Sequence, residues 1–431
     1  MSSNGGSLII ENGSLITSGQ IIDDGMVAIH EGKIVYAGSR RPVDSAWFSN
    51  PPARETGAGS ISINNNINRF DAGRGWICPG LLDVHLHGGG GADVMDASIE
   101  ALHTIAKAHT RHGTTGFLAG TVTASHQELL PVAEVIRQAV AAGANSFAST
   151  PASSASSTTS TPDWQAAAVL GLHLEGPYLS YNRRGAHNAA HLRPPSKEEL
   201  AELLAILGAH FRMITLAPEL ENALEIIPWL VQHDVTVSLG HSEAPYELAL
   251  KAIAAGARHA THTYNGMNAL HHRDPGLLTA VLLEDRLTAE LIADGIHVHP
   301  AVLRLAWKLK GTERTCLVTD AIGAMGMPPG LYNLGGLEVE VVGNTCRLIE
   351  GGSLAGSVLG MDIAVKNMVE MVGVPLREAV YMATAVPARQ MGLAHCKGAL
   401  APGMDGDICV LGQDLLCSAT IIAGRPVYRA G

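Results

Sequence analysis

The segment Gly80-Leu81-Leu82-Asp83-Val84-His85-Leu86-His87-Gly88 decides how this chain is interpreted. A largely apolar run leads into two histidines one residue apart, and a glycine run from Gly88 to Gly91 follows. Because successive side chains of a β-strand alternate in direction, His85 and His87 point to the same side of the predicted strand. Two imidazoles at the end of a strand can bind one metal ion, and a pair of structural histidines is the alternative. The pattern predicts the opening strand of a metal-dependent hydrolase.

Beyond this segment, apolar strand-like runs alternate with helical stretches rich in Ala, Leu and Glu. The predicted strands are Leu81–Leu86, Gly116–Ala119, Val169–Leu174, Met213–Leu216, Val235–Leu239, His259–Thr261, Thr288–Ile292 and Thr315–Val318. The predicted helices include Ser98–His112, His126–Ala142, Lys197–Gly208, Ala244–Ala255 and Pro300–Leu309, with another near Val374–Met391. Eight strands with intervening helices predict an α/β protein, a (β/α)8 TIM-type barrel. A doubly wound open sheet is the alternative.

The two ends of the chain have a different pattern, with short strands and tight turns. Ser7–Ile10, Ser14–Ile16, Gly25–His30 and Lys33–Ala37 are predicted strands at one end, and Ile408–Leu411 and Pro426–Tyr428 at the other. We predict that residues 1–78 and 397–431 form one small β-sandwich domain beside a barrel at 79–396. Residues 42–69 and 145–162 are predicted to be irregular insertions, and the second has a low-complexity sequence. Residues 330–352 interrupt the barrel pattern with a strand at Leu337–Val342.

Composition limits the classes of function. The 431 residues include 29 Lys and Arg against 40 Asp and Glu, a net charge of −11, which disfavours nucleic acid or an anionic membrane as a partner. The six cysteines show no paired spacing, so a reducing compartment is expected. We find no signal-peptide pattern and no apolar run of about 18 residues that could span a membrane. A cytoplasmic protein is predicted.

Three more potential metal ligands follow predicted barrel strands, where the catalytic groups of such barrels lie. Glu175 ends the third strand, and a carboxylate there is costly unless it is paired or bound to a metal. His241 and His262 follow the fifth and sixth strands. The alternatives are a helix cap for Glu175 and structural roles for the histidines, but the combination with His85 and His87 favours a metal site. Nitrogen and oxygen ligands suit a divalent ion such as zinc or iron.

Asp320 ends the eighth predicted strand, in Leu317-Val318-Thr319-Asp320-Ala321. A carboxylate beside a metal site can take a proton from activated water and pass it to a leaving group. A structural helix cap is the alternative. With the metal ligands, Asp320 predicts hydrolysis of an amide, ester or related bond.

Seven blocks of sequence carry a wider resemblance. They are His173–Tyr178, Arg184–Asn188, Leu239–Ser242, Thr261–Met267, Ile292–His297, Leu317–Ala321 and Gly352–Ser357. In this order they resemble the amidohydrolase superfamily, and within it the deacetylases of amino-sugar phosphates, over nearly the whole chain. The resemblance implies a metal-bearing barrel with a β-sandwich built from both termini. It also implies release of acetate from N-acetylglucosamine 6-phosphate in amino-sugar catabolism.

The resemblance further implies roles for individual residues. Glu175, His241 and His262 would bind the main ion, and His85 and His87 would complete a second site bridged by Glu175. Asp320 would act as base and then acid, and His187 would polarise the acetyl carbonyl and hold the substrate. The implied substrate-binding residues are Ala186, His187, Asn265, Gly266, Arg273, Asp294, His297, Leu354, Ala355, Gly356 and Ser357.

The resemblance leaves three points open. Some relatives carry Gln-x-Asn instead of His-x-His and use one metal, so one or two ions per subunit are expected here, with zinc favoured over iron or another divalent ion. His297 is preferred to His299 as the substrate contact, although spacing does not separate them. A homodimer is expected, in which Arg273 reaches the phosphate in the neighbouring active site.

Two other functions compete with this prediction. One is another amidohydrolase, such as a cyclic-amide hydrolase or a deaminase, acting on a cyclic amide or related C–N bond. Such enzymes usually bridge two metals with a modified lysine, and here the corresponding strand offers Glu175. The other is a catalytically inactive scaffold, which is disfavoured because the predicted ligands and the base are all present.

Overall fold

The structure, a computed structural model, describes residues 6–43, 67–146 and 164–431. Most of the two predicted insertions, 42–69 and 145–162, therefore lies outside the described residues. At their margins, residues 67–69 belong to a strand and residues 145–146 end a helix, so the prediction of irregular structure was wrong there.

The described chain contains strands and helices in the following order. The strands are β1 (Ser7–Ile16), β2 (Ile21–His30), β3 (Lys33–Ser39), β4 (Ile67–Asp71), β5 (Trp76–Pro79), β6 (Leu81–Leu86), β7 (Gly88–Gly89), β8 (Ala92–Asp93), β9 (Thr114–Thr121), β10 (Ala168–Glu175), β11 (Phe211–Leu216), β12 (Thr236–Leu239), β13 (His259–Ala260), β14 (Thr288–Ile292), β15 (Thr315–Val318), β16 (Gly330–Leu334), β17 (Leu337–Val342), β18 (Thr345–Leu348), β19 (Ile408–Leu411), β20 (Cys417–Ile422) and β21 (Arg425–Arg429). The α-helices are α1 (Ile99–Thr110), α2 (His126–Ser146), α3 (Lys197–Leu207), α4 (Ala223–Gln232), α5 (Tyr246–Ala255), α6 (Gly276–Leu283), α7 (Pro300–Lys310), α8 (Met361–Asn367), α9 (Leu376–Met382) and α10 (Ala385–Gln390).

Eight parallel strands form the predicted barrel sheet, in the order β15-β14-β13-β12-β11-β10-β9-β6. Just beyond its edge strands, the Asp320 amide donates to the His85 carbonyl at 2.9 Å and the His87 amide to the Ala321 carbonyl at 2.7 Å. These bonds bring the first and last strands together, so the sheet is nearly closed. The (β/α)8 prediction is confirmed, and the open doubly wound sheet was wrong.

The two termini form a second sheet, in the order β21-β20-β19-β5-β1-β2-β3, with β4 also paired to β1. Its buried residues include Ile10, Val27, Ile77 and Ile408, which form an apolar cluster separate from the barrel core. The predicted β-sandwich from both ends is therefore confirmed. The predicted separation of Ser7–Ile10 from Ser14–Ile16 was wrong, because both belong to β1, which continues through a bulge between them.

A three-stranded antiparallel sheet, β16-β17-β18, interrupts the barrel between β15 and α8. Leu334, Val339 and Val341 pack against Val122 and Ile322 beside the barrel. The predicted interruption at 330–352 and the strand Leu337–Val342 are confirmed.

The helix predictions were less complete. α4, α6 and α8 were not among the predicted helices. α6 is apolar on nearly all sides, so it lacks the one-sided pattern that marks a surface helix. The helix predicted near Val374–Met391 is two helices, because Thr384 takes a non-helical backbone conformation between them. Within the described ranges, none of the helices has the length and apolar character needed to cross a membrane.

Candidate active site

The carboxyl ends of the barrel strands bring the predicted polar residues together. Glu175 is the last residue of β10, and the other predicted ligands follow β12 and β13 or lie at the end of β6. Three of the site residues have left-handed backbone angles: φ is 48° at His241, 25° at His262 and 50° at Asp320. Such angles are strained for residues with a side chain and cluster at functional sites. They occur here just where the chain leaves its strand.

Glu175 lies at the centre of the cluster and is 2 % exposed. Its two oxygens are within 3.4 Å of five imidazole nitrogens. Oε1 faces Nε2 of His262, His241 and His85 at 3.2, 3.3 and 3.4 Å, and Oε2 faces Nε2 of His87 and His187 at 3.1 and 3.3 Å. One carboxylate thus touches both predicted metal subsites.

The first subsite contains two imidazoles whose lone pairs face each other. His241 Nδ1 is 2.6 Å from the Arg183 carbonyl, and His262 Nδ1 is 3.2 Å from the Asn265 carbonyl. A carbonyl oxygen only accepts, so each Nδ1 carries the hydrogen and each neutral ring presents a lone pair at Nε2. The two Nε2 atoms lie 2.9 Å apart. Two acceptors at this distance require a cation, either a proton or a metal ion, between them.

His85 and His87 repeat this arrangement at the second subsite. His87 Nδ1 is 3.1 Å from the Gly120 carbonyl, and His85 Nδ1 is 2.9 Å from a carboxylate oxygen of Glu290. Both rings again present Nε2, and these atoms lie 3.3 Å apart. Oriented imidazoles with the second nitrogen bonded to a carbonyl or carboxylate are typical of metal ligands. The donors therefore fit divalent ions that accept nitrogen and oxygen ligands, such as zinc or iron.

His187 has the opposite orientation. Its Nδ1 accepts from the Thr123 amide at 3.1 Å, so in the neutral ring Nε2 carries the hydrogen. That Nε2–H points at Glu175 Oε2, 3.3 Å away. His187, Glu175 and His241 are close enough to form a ligand group by distance alone. The tautomer nevertheless makes His187 a hydrogen-bond donor in the site.

The charges of the cluster favour a cation. Burial opposes ionisation of Asp320, but hydrogen bonding to His87 and the nearby His85 lower its pKa to about 2. Burial likewise acts to lower the pKa of His87, but Asp320 and Glu175 raise it to about 10. The Asp320 and Glu175 carboxylates therefore attract a cation to the space between the imidazole nitrogens, whether it is a proton or a metal ion. His241 stays neutral, because burial lowers its pKa to about 4.

Asp320 lies beside the second subsite, with Oδ1 3.3 Å from His87 Nε2 and 3.7 Å from His85 Nε2. Its low pKa leaves it ionised at neutral pH, as a proton acceptor must be. It also faces the pocket described next.

A pocket of about 260 Å³ opens over the cluster. Its lining residues are His87, Val122, Glu175, Gly185, Ala186, His187, His241, His262, Asn265, Gly266, His297, Asp320, Leu334, Ser353, Leu354 and Gly356. Val122, Gly185, Leu334 and Ser353 were missed by the sequence analysis. Val122 follows a barrel strand and Leu334 lies in the β16-β17-β18 sheet, so nothing local in either segment marks them as neighbours of the site.

Several predicted substrate residues do not line this pocket. Ala355 packs in the apolar cluster beneath the β16-β17-β18 sheet, and the Ser357 hydroxyl donates to the Thr319 carbonyl at 2.5 Å. Asp294 lies behind His297: Oδ2 is 2.7 Å from His297 Nδ1, and Oδ1 accepts from the His297 amide. Asp294 thus holds a pocket residue.

The geometry separates His297 from His299. His297 lines the pocket, whereas His299 is exposed and its Nδ1 accepts from the Ala301 amide at the start of α7. Arg273 is also outside the pocket. It is exposed in the segment before α6, with Nη1 2.8 Å from His272 Nε2.

Buried polar residues that were not predicted lie beneath the cluster. Glu290 in β14 and His259 in β13 are fully buried, and Glu290 contacts His85. Asp83 in β6 accepts from the Thr319 hydroxyl at 2.5 Å, and burial raises its pKa to about 7. For Glu290 and Asp83 the available signal was a carboxylate between two apolar residues inside a strand, because such a group must be paired.

Comparisons with known proteins agree with this architecture. Residues 76–427 match the model of the Amidohydrolase family. The chain is 34 % identical over 422 residues to N-acetylglucosamine-6-phosphate deacetylase of Bacillus subtilis, covering 98 % of this chain and 97 % of the relative. It is 40 % identical over 349 residues to N-acetylgalactosamine-6-phosphate deacetylase of Escherichia coli O157:H7, covering 81 % and 87 %.

Solved structures give the same result. The crystal structure of N-acetyl-D-glucosamine-6-phosphate deacetylase from Mycobacterium smegmatis superposes with a TM-score of 0.82 at 31 % identity, covering 98 % of this chain and 100 % of that one. The corresponding enzyme of Pasteurella multocida gives a TM-score of 0.83 at 27 % identity, with the same coverage. The chain therefore belongs to the amidohydrolase family, in the group that carries the name N-acetylglucosamine-6-phosphate deacetylase.

Proposed function

We propose that this protein is a metal-dependent hydrolase that removes the acetyl group from N-acetylglucosamine 6-phosphate, giving glucosamine 6-phosphate and acetate. The observation that carries the proposal is that imidazole lone pairs face one another around Glu175. The ionised Asp320 lies beside them in the same pocket. The relatives that match nearly the whole chain support the choice of substrate.

We expect one or two divalent ions, with zinc favoured. Glu175, His241 and His262 would hold one ion, and His85 and His87 would help to hold a second. A bound ion of this kind lowers the pKa of water to about 7 and polarises a carbonyl oxygen. The chain supplies the remaining chemistry.

Asp320 and His187 would carry out the proton transfer and the polarisation. Asp320, ionised and facing the pocket, takes the proton of the attacking water and then delivers it to the amide nitrogen that leaves as the amine. His187 lines the pocket and would turn its Nε2–H from Glu175 to the oxyanion that develops on the acetyl carbonyl. The backbone amide of Thr123 keeps His187 in this tautomer.

The substrate phosphate needs positive charge in a chain with a net charge of −11. Among the described residues that line the pocket there is no Lys or Arg. We assign the phosphate to His297 and the amides near Asn265 and Gly266, together with the partner subunit's Arg273 in a homodimer. Arg273 is exposed and follows Gly266 by seven residues, so it is available to a neighbouring subunit.

We place the protein in the cytoplasm, with a small-molecule substrate and without a nucleic-acid or membrane partner. All six cysteines are free, as expected in a reducing compartment.

N-acetylgalactosamine 6-phosphate is a second candidate substrate. The observation that favours it is the 40 % identity to the Escherichia coli O157:H7 relative named for that sugar phosphate. The two sugars carry the same acetamide and phosphate and are epimers, so the proposed chemistry is unchanged.

The test is amine release from purified, zinc-supplied protein with each sugar phosphate and with unphosphorylated N-acetylglucosamine. We expect release from the phosphorylated sugars and a decrease of about 10²- to 10⁴-fold in kcat in Asp320→Asn. Asp362→Asn, a buried carboxylate change away from the site, is the matched control. No release from either phosphorylated sugar would reject the proposed function, and full activity of Asp320→Asn would reject the assigned base.

Mixed dimers test the role of Arg273. Asp320→Asn and Arg273→Gln subunits should each be weakly active alone. If Arg273 acts across the dimer, mixing and reassociation should restore about a quarter of the sites, because half of the dimers are mixed and one of their two sites is intact. Full activity of the Arg273→Gln homodimer would place Arg273 outside catalysis, and no recovery after subunit exchange would place it in its own subunit's site.

A further inference from the structure

Glu290 connects the two metal subsites from beneath. It lies in the middle of β14 and is fully buried. Its Oε2 is 2.9 Å from His85 Nδ1 and also accepts from the His262 amide at 2.9 Å. One carboxylate oxygen therefore touches a ring of the second subsite and the backbone of a ligand of the first.

We infer that Glu290 is a positioning residue that orients His85 and His262 for metal binding, and that His259 holds Glu290 in place. The inference rests on the proposed metal-dependent function and extends it to two residues that touch neither the pocket nor the substrate. Three sets of contacts support these two roles.

The first contact fixes the His85 ring. An acceptor at Nδ1 sets both the tautomer and the rotation of the imidazole, so that Nε2 presents its lone pair toward His87 and Glu175. The carboxylate–histidine–metal arrangement is a general device in metalloproteins, and loss of the outer partner weakens metal binding.

The second set fixes the backbone after β13. His262 has a φ of 25°, which is strained for a residue with a side chain. Its amide donates to the Glu290 carboxylate at 2.9 Å, and the next amide, of Thr263, donates to the Glu290 carbonyl at 2.9 Å. Two consecutive amides are thus held by one residue at the point where the His262 side chain leaves the chain.

The third set holds Glu290 itself. His259 Nε2 is 2.9 Å from Glu290 Oε1, and His259 Nδ1 is 3.3 Å from Oε1 of Gln390. Gln390 Nε2 in turn donates to the Thr288 hydroxyl at 2.9 Å. Gln390, His259, Glu290 and His85 thus form a continuous series of side-chain contacts that ends at the cluster around Glu175.

These contacts favour a carboxylate. Glu290 Oε2 accepts from two donors, His85 Nδ1 and the His262 amide, and Oε1 faces His259 Nε2. A glutamine would meet His85 Nδ1 either with a neutral oxygen, which is a weaker acceptor than a carboxylate, or with its NH₂, which cannot accept. Glu290→Gln therefore weakens the support of at least one subsite with little change in volume.

The experiment compares zinc binding by holoprotein preparations of wild type, Glu290→Gln and Asp362→Asn. Asp362 is a matched control, because this buried carboxylate also accepts from a histidine Nδ1, of His112 at 2.8 Å, and from an amide, of Cys417 at 2.9 Å. Zinc content is measured after dialysis, and zinc affinity by competition with a chelator. Circular dichroism and the Tm report the fold.

We expect zinc affinity to fall by about 10- to 100-fold in Glu290→Gln and to be unchanged in Asp362→Asn. If Glu290→Gln does not fold, His259→Leu removes only the outer contact and should weaken zinc binding to a smaller extent. Zinc affinity and content equal to the control in the variant that folds would overturn the inference. A wild-type protein that binds no zinc would instead reject the metal-dependent function on which the inference rests.

Discussion

The barrel interior holds two groups of buried polar side chains that differ in how completely their hydrogen bonds are satisfied. In the first, which we call the hydroxyl chain, Ser238, Thr261, Thr215 and His173 follow one another at 2.6, 2.7 and 2.8 Å. His173 Nδ1 is 2.8 Å from the Val84 carbonyl and must donate. Its Nε2 then accepts from Thr215, which accepts from Thr261, which accepts from Ser238. Every donor has an acceptor.

The cluster around Glu175 has no such assignment. With the hydrogens of His241, His262 and His87 placed on Nδ1 by their carbonyl partners, lone pairs face one another across 2.9 and 3.3 Å. Both groups are buried and rich in histidine, so burial and composition do not separate them. The difference teaches that a satisfied network is structural, whereas a group of facing acceptors requires a cation.

The largest expected effect comes from removing the central carboxylate. Glu175→Gln replaces an oxygen that faces three imidazoles with an amide group of nearly the same size. We expect zinc content near zero and a decrease in kcat of more than about 10³-fold, because metal activation is worth several kcal/mol. Elemental analysis and the amine-release assay measure both quantities. If Glu175→Gln kept its full zinc content, the cluster around Glu175 would not be a metal site and would not differ from the hydroxyl chain in function.

His187 sharpens the comparison, because it lies in the Glu175 cluster but has the tautomer of a donor. We expect His187→Asn to lower kcat by about 10²- to 10³-fold, as for a lost oxyanion donor, with zinc content unchanged. Loss of zinc in this variant would show that the ring is a ligand and that the tautomer assignment is wrong. His241→Asn, assayed beside it, should lose zinc.

The hydroxyl chain should respond in stability only. Thr215→Val keeps the shape of the side chain but leaves His173 Nε2 without its donor. We expect the free energy of unfolding to fall by about 1–3 kcal/mol, with zinc content and KM unchanged. Denaturant unfolding of the zinc-loaded protein measures the first quantity. A change in zinc affinity as large as that of Glu290→Gln would mean that the two groups are not independent.

The smallest effect concerns pH. Burial, aided by the nearby His85, lowers the pKa of His173 to about 3, below the usual value of about 6.5. A lowered folded-state pKa means that the unfolded chain binds the proton more readily. The stability that neutral His173 contributes is thus complete above about pH 6.5 and is lost as the pH falls toward 3. Ring chemical shifts from labelled histidine should show no titration of His173 between pH 7 and 5, and protonation in that range would contradict the assignment.

The sequence was most informative at the ends of the barrel strands. Glu175, His241, His262 and Asp320 could be selected because each polar residue comes at the end of a predicted barrel strand, and a buried polar group needs a partner. The same rule applied inside the strands would have selected Glu290 and Asp83. No comparable rule marks Val122 or Leu334, which are ordinary apolar residues of segments far apart in the chain.

The sequence by itself determined the alternation of strands and helices, the β-rich termini and the side of β6 on which His85 and His87 lie, because these follow from local periodicity. Only the tertiary structure decided which atoms meet. Closure of the barrel brings Glu290 to His85 across 205 positions of sequence, and carbonyl groups from other segments set the tautomers of His87 and His241. Those tautomers decide which imidazoles present a lone pair, and a hydrogen-bond partner distant in sequence leaves no trace in the local pattern.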